Sequence, residues 1–227
     1  MSTPEVLSSP DQLRPPQRTA PRDVNYLCAL ITQRTANADV PRTVIGLVGE
    51  PGAGKSTLAQ ELVEALGADA AVVPMDGFHL SNQVLDTLGR RQRKGAPDTF
   101  DAHGFTHLVQ RLRHQREDIV YAPMFRRDLD EPIAGSIPIS RKTSVVIIEG
   151  NYLLLAEEPW RDIRQHLDDT WYLELNRDVR LRRLAERHQS FGLTPEHAWH
   201  WAQTQDQVNA ELVRDTRVDA RLVIRGD

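Results

Sequence analysis

The sequence predicts an open, mostly parallel α/β sheet with helices on both faces, and three observations carry that expectation. Short β-branched runs alternate with helical stretches along the chain, one run leads straight into a glycine-rich loop, and the composition suits one soluble globular domain. Of 227 residues, 40% are apolar and 26% charged, with a formal net charge of −4. The 28 basic and 32 acidic residues supply no strong positive field, so small molecules rather than duplex nucleic acid are the expected partners. No basic segment followed by an apolar stretch opens the sequence, and the longest apolar runs are interrupted by Glu149 and Asn151. Neither secretion nor a membrane span is expected. The single cysteine, Cys28, has no second thiol for an intrachain disulfide or a metal knuckle, which fits a cytoplasmic location.

Residues 1–22 hold Pro4, Pro10, Pro15, Pro16 and Pro21 with almost no bulky apolar side chain, and read as a flexible arm ahead of a domain over 23–227. Val24, Leu27, Cys28 and Ile31 follow at helical spacing and predict a helix ending before Pro41 that serves as a lid or a flank, not as core. The core opens at 44–48 with a nearly continuous β-branched run, the pattern of a strand buried on both faces. Similar runs recur at 71–74, 119–121, 145–148, 171–175 and 222–224. Helices are expected over 55–66, 104–114, 178–189 and 195–214. The segment 128–140, with Pro132 and Pro138 around alternating isoleucines, suits either a hairpin excursion or a surface loop.

Directly after the first core strand stands Gly49-Glu50-Pro51-Gly52-Ala53-Gly54-Lys55-Ser56-Thr57, which matches G-x-x-x-x-G-K-[ST] in its strand–loop–helix setting. In such a loop the glycines let backbone N–H groups converge on phosphate oxygens, and the following helix adds the positive end of its dipole. Lys55 would reach the β- and γ-phosphates, and the Ser56 hydroxyl would ligate Mg²⁺. A nucleoside triphosphate is therefore expected. No Asn/Thr-Lys-x-Asp segment reads guanine, since Asn176-Arg177-Asp178 does not fit, and no Leu-Ser-Gly-Gly signature is present.

Asp76 follows the run ending at Met75, which puts it at the carboxyl edge of the sheet, within reach of the loop. Asp-Gly also favours hairpin turns, but the residues after Gly77 read as helix or loop, so Asp76 is expected to act as a general base toward an acceptor hydroxyl. Glu149 ends the apolar run 145–148, where a carboxylate is costly unless paired or beside a metal; service to Mg²⁺ answers that cost, a helix cap or core ion pair being the alternative. Arg180, Arg183 and Arg187 share one face of the helix over 178–189. They describe either a solvated basic face, with Arg182 paired to Glu186, or a lid over about 177–192 whose arginines close on the phosphates, Arg180 and Arg183 first.

With these residues in place the chain resembles the P-loop family that joins pantothenate kinases, uridine kinases and phosphoribulokinases, most of all its short members grouped as nucleoside/nucleotide kinase-like or fructose-transport-system kinases. The resemblance runs from Arg42 to Ile224 through the phosphate loop, Asp76-Gly77-Phe78-His79, Lys94-Gly95-Ala96-Pro97, Tyr121-Ala122-Pro123-Met124-Phe125, Glu149-Gly150-Asn151-Tyr152 and the arginine helix. It implies an ATP- and Mg²⁺-dependent phosphotransferase acting on a hydroxyl of a small metabolite: a sugar, nucleoside or pantothenate-like molecule. Asp76 is then the base, Glu149 serves the metal, and Gly49, Gly52, Ala53, Gly54, Lys55, Ser56 and Thr57 hold the nucleotide. Asp76, His79, Lys94, Tyr121, Arg127 and Asn151 fall on the acceptor side.

The chain departs from that pattern in two places. Gly95 stands where uridine kinases tend to carry a ribose-holding acid, and Arg126 stands where many relatives have an acid, which offers a basic acceptor wall with Arg127. The other class of function weighed against catalysis is a regulatory ATP-binding protein tied to a transport system. Among the remaining features, the cluster 90–94 is either a solvated loop or a steering patch, and His103 with His107 lacks a third metal ligand. Trp201, Gln205, Val208 and Leu212 are expected to pack, and Asp101 to cap a helix.

Overall fold

The computed structural model describes residues 17–38 and 42–226. Six parallel strands form one sheet in the order β1-β8-β7-β2-β6-β3: β1 Arg18–Pro21, β2 Thr43–Val48, β3 Ala70–Pro74, β6 Val145–Glu149, β7 Asp169–Glu174 and β8 Leu222–Arg225. Strand β2 is central because its six residues are all buried, as the unbroken apolar run demands. Its odd and even positions serve opposite layers. Val44 and Val48 face a core shared with Phe105, Val109 and Leu112 of helix α4 (Ala102–Arg113). Ile45 and Leu47 face a core shared with Leu27 and Ile31 of α1 (Val24–Ala36) and Leu58 and Leu62 of α2 (Lys55–Leu66). The sheet is thus covered on both faces, as the alternation predicts.

Several expectations differ from the structure. Residues 18–21 are not arm: they pair with β8 along their whole length as the edge strand, held by main-chain hydrogen bonds that need no apolar run. Residues 1–16 lie outside the described part of the chain. Helix α1 does not merely flank, since Leu27 and Ile31 are fully buried. The run 119–121 leaves the main sheet altogether. It begins β4 (Ile119–Arg126), which pairs antiparallel with β5 (Glu131–Ser140), so 128–140 belongs to a hairpin whose Val120, Ala122 and Ile139 join the α4-side core.

The stretch 195–214 divides into α6 (Pro195–Gln203) and α7 (Gln205–Asp215), the break falling at Thr204. That break shifts the helical phase, so Gln207, Ala210 and Val213 turn inward while Val208 and Leu212 are exposed, contrary to the expected stripe. Helix α5 (Arg177–Ser190) starts on Asn176, whose side chain accepts from two backbone N–H groups, and helix α3 (Asn82–Thr87) starts on Ser81. Asp101 caps α4 as expected, accepting from Gly104 at 2.8 Å. Among the described residues no helix is long and apolar enough to cross a membrane.

Candidate active site

The sheet brings three chain segments to one edge. In register, Glu149 of β6 stands beside Leu47 of β2 and Pro74 of β3. The phosphate loop leaves β2, the Asp76 turn leaves β3, and Glu149 lies between them. Gly52 and Gly54 both take positive φ, 80° and 94°, which only glycine adopts without strain. A Cβ on Gly52 would stand 2.8 Å from Leu184 and 2.9 Å from the Arg180 carbonyl, so α5 lies against the loop at this point.

Lys55 is buried, and its ammonium donates to the Gly49 carbonyl at 2.8 Å, the Glu50 carbonyl at 3.3 Å and Asn151 Oδ1 at 2.6 Å. Burial lowers its pKa to about 8, opposed by the nearby carboxylates of Glu149 and Asp76. The Ser56 hydroxyl donates to Glu149 Oε1 at 3.1 Å. Burial, then the charge of Asp76, pushes the Glu149 carboxyl above its ordinary range. A cation between these groups would relieve that strain.

Behind the loop the arginine helix behaves differently from the expectation. Arg180 is fully buried: its Nε pairs with Glu50 Oε2 at 2.8 Å, and it donates to the Pro51 carbonyl at 3.1 Å and to Gln207 Oε1 at 2.7 Å. Arg214 closes the other side of Glu50 at 3.1 Å. Arg180 therefore tethers the loop to α5 and α7 from inside and does not face the space where phosphates would lie. Periodicity put three arginines on one face but could not show that the first turn of that face is sealed against the loop.

The two remaining arginines stand differently. Arg183 is exposed, with Nη1 3.3 Å from the position a Cβ on Gly54 would take. Arg187 is half-buried, and its charge acts on both Lys55 and Asp76. Its guanidinium donates no hydrogen bond to another described residue. Sequence reasoning missed Glu50, Gln207 and Arg214; the available signal was an acid inside a phosphate-binding loop, which needs a cation.

On the acceptor side, Asp76 sits in a 3-10 turn over Met75–Phe78 that presses against β4: a Cβ on Gly77 would lie 2.4 Å from the Pro123 carbonyl. Arg127 Nη2 reaches Asp76 Oδ2 at 3.3 Å. Burial alone would raise the Asp76 carboxyl, but His79, Arg127, Lys55 and Arg187 together hold it below its ordinary value. His79 Nδ1–H donates to the Asp76 carbonyl at 2.8 Å, and its ring lies 4.0 Å from Phe100 and 4.7 Å from Phe125. Burial in that aromatic slot lowers the His79 pKa. Lys94 donates to Asn82 Oδ1 at 2.7 Å, pairs with Asp130 at 3.1 Å, and stands 4.9 Å from the centre of the Phe125 ring.

Asp76 thus touches both His79 and Arg127, Lys94 stands over the Phe125 ring that packs on His79, and Asn151 joins Lys55. Tyr121 does not join them: it is exposed on the strand face opposite buried Val120 and Ala122 and bonds to none of them. Arg126 also turns away, folding both arms of its guanidinium onto Asp128 at 2.8 and 2.7 Å. Nor is the cluster 90–94 an open steering patch, since Arg90 and Arg93 pair with Asp98, and Arg91 and Lys94 with Asp130. Among the described residues His103 and His107 belong to no group of three or more metal-capable side chains.

Comparison with known proteins gives one answer. The model of the phosphoribulokinase/uridine kinase family matches residues 44–192. A protein of Schizosaccharomyces pombe named "Putative uridine kinase C227.14" is 35% identical over 195 residues, which cover 81% of this chain and 83% of the relative. The solved structure of a "putative fructose transport system kinase" from Silicibacter superposes with a TM-score of 0.80 at 40% identity, covering 88% of this chain and 98% of that one. Yeast YFH7 has the same fold, with a TM-score of 0.80 at 22% identity over 90% of this chain and 99% of that one.

Proposed function

The chain belongs to the phosphoribulokinase/uridine kinase family, its kinase relatives make it an ATP-dependent phosphotransferase, and on that premise we propose the following chemistry. The acceptor is a hydroxyl of a small metabolite. Asp76 takes the hydroxyl proton as the acceptor oxygen bonds to the γ-phosphorus and the bond to the β-phosphate oxygen breaks, leaving ADP and a phosphate ester. The observation that carries this reading is the register of the sheet, which sets Glu149 between the ends of β2 and β3, the strands that lead into the phosphate loop and the Asp76 turn.

Each residue then has one task. Lys55 and the amides of Gly52, Ala53 and Gly54 hold the phosphates, with Gly49 and Thr57 closing the two ends of the loop. Arg187 and Arg183 meet the transferring phosphoryl from the α5 side, in place of the Arg180 expected from sequence. His79, fixed by its bond to the Asp76 carbonyl, aligns the turn that carries the base. Arg127 keeps Asp76 ionised until the proton arrives, because a cation beside a carboxylate favours the charged form.

Magnesium fits the donors present. It takes one or two carboxylates plus phosphate oxygens and keeps several waters, so a protein cage is not needed. Ser56 and the Glu149 carboxylate, 3.1 Å apart, would hold it, and bound there it would neutralise charge on the transferring phosphates. Testing the reading requires purified protein, ATP and Mg²⁺ with a panel of nucleosides, pantothenate, hexoses, pentoses and their monophosphates. Phosphotransfer predicts ADP release that depends on one class of acceptor. ATP binding without stimulation by any acceptor would favour a regulatory nucleotide-binding protein.

A further inference from the structure

The phosphate loop carries one acid, Glu50, and the fold spends its carboxylate on two helices at once. From inside, Arg180 Nε of α5 pairs with Oε2 at 2.8 Å. From outside, the guanidinium of Arg214 on α7 lies across both oxygens, Nε to Oε1 at 3.1 Å and Nη2 to Oε2 at 3.2 Å. The Glu50 side chain is 12% exposed, and that of Arg180 not at all. The main chain of the same residue serves the loop itself: the Glu50 carbonyl accepts from the Ala53 N–H at 3.1 Å and from the Lys55 ammonium at 3.3 Å. One residue therefore touches both the lysine assigned to the phosphates and the helix that carries the arginines.

A helix is set against a surface by its rotation about its own axis and its slide along it, and for α5 both are fixed at the loop. Arg180 Nη1 donates to the Pro51 carbonyl at 3.1 Å. A Cβ on Gly52 would stand 2.8 Å from Leu184 and 2.9 Å from the Arg180 carbonyl, so the helix rests directly on the loop backbone. Arg183 and Arg187 follow Arg180 at i+3 and i+7, which turns them about 60° and about 20° from it and carries them about 4.5 and about 10.5 Å along the axis. Arg183 accordingly arrives over Gly54, its Nη1 3.3 Å from the Cβ position there, and the charge of Arg187 reaches Lys55 and Asp76. Neither guanidinium has a hydrogen-bond or ion-pair partner among the described residues. Their placement comes from the helix, and a slip of one residue would rotate that face by about 100° away from the loop.

We infer that Glu50 is a positioning residue for the γ-phosphate: through Arg180 it fixes the rotation and slide of α5, and so sets Arg183 and Arg187 against the terminal phosphate of a bound triphosphate without touching it. The inference rests on the reading that these two arginines meet the transferring phosphoryl, and it does not depend on turnover. The charge at position 50 is what matters, because a neutral oxygen of the same length answers a buried guanidinium poorly. Gln207, the other side chain bonded to Arg180, is already neutral and holds the far end of the same guanidinium.

The test titrates full-length protein calorimetrically with Mg²⁺-ADP and with the Mg²⁺ complex of the non-hydrolysable analogue AMP-PNP, which differ by the phosphate the arginines would meet. The native protein should prefer AMP-PNP by about 10- to 100-fold, the span of one charge-assisted hydrogen-bonded pair. Glu50→Gln should lower that preference about 10-fold while the Kd for ADP stays within about threefold, and Glu50→Asp, which keeps the charge, should restore part of it. Where Arg183→Gln and Arg187→Gln are already present, Glu50→Gln should lower the preference no further, since it acts through those side chains. Glu50→Gln strips a buried cation of its counter-charge, so Glu50→Gln/Arg180→Met, which buries no lone charge, is measured beside it and should show the same loss. Every titration is run below the melting transition of the variant.

A preference that survives in both Glu50→Gln proteins overturns the inference alone. So does an equal loss of ADP and AMP-PNP affinity, which would make Glu50 a residue that shapes the loop, or a further drop on the background lacking both arginines. A native protein that binds the two ligands equally overturns the inference together with the role given to the arginines. Acceptor-stimulated ADP release is read separately: its absence would remove the phosphotransfer reading and leave the binding result standing.

Discussion

The nucleotide side and the acceptor side of the cleft are built on opposite plans. Around the phosphate loop two cations are already engaged by the protein: Lys55 holds two loop carbonyls and Asn151, and Arg180 holds Glu50, Pro51 and Gln207 at zero exposure. Across the cleft the Asp76 and Arg127 side chains are 32% and 44% exposed and joined by one long contact. The first arrangement holds a shape whether or not ligand is present. The second leaves its groups partly open to solvent.

The contrast breaks most visibly at Lys55. Lys55→Met should lower turnover by about 10²–10³, the cost of removing one preorganised charge from a phosphoryl-transfer site, and should weaken ATP binding in a nucleotide titration. Next comes Arg180→Met, which leaves Glu50 with its surface partner Arg214 and a long bond from the Tyr172 hydroxyl. Breaking a buried pair on one side costs about 3–5 kcal/mol, so the melting temperature should fall by roughly 10 °C, with KM for ATP rising more than KM for the acceptor. If Arg180 instead reached the phosphates from solvent, the variant would keep its melting temperature.

A smaller effect is expected where the two sides meet. In Gly77→Ala the added methyl cannot remain 2.4 Å from the Pro123 carbonyl, so the turn bearing Asp76 must move away from β4. Overpacking of this kind costs about 1–3 kcal/mol, and acceptor KM should rise while ATP affinity stays unchanged. The smallest effect is a pH dependence. Burial lowers the His79 pKa in the folded protein from its ordinary 6.5, so below pH 6.5 the unfolded chain binds a proton that the fold resists. Stability should therefore fall as pH drops below 6.5 and level off once His79 is protonated in the fold too. His79→Asn should flatten that slope in melting curves between pH 7.5 and 5.

Legibility in the sequence follows the same division. The loop motif, β2, α2 and the strand-end acids were readable because each depends on local pattern: a β-branched run, glycines at left-handed positions, a carboxylate after an apolar stretch. The role of Arg180 was not, because a helical face lists which residues lie together and not which part of that face is sealed by a loop far away in sequence. Strand β1 was hidden for a similar reason: Arg18-Thr19-Ala20-Pro21 has no strand signature, and its partner lies at the other end of the chain. The hairpin was readable as a possibility, and its packing onto the Asp76 turn, which brings Arg127 to the base and leaves Tyr121 outside, arises only from tertiary contact.

The central claim is that Asp76 is the base for an acceptor hydroxyl beside a preformed nucleotide site. Its most direct test is to measure acceptor-stimulated ADP release and ATP affinity side by side in the native protein and in Asp76→Asn. The account predicts that turnover drops by about 10²–10⁴ while the Kd for ATP stays within a few-fold. Near-native turnover in Asp76→Asn would contradict it.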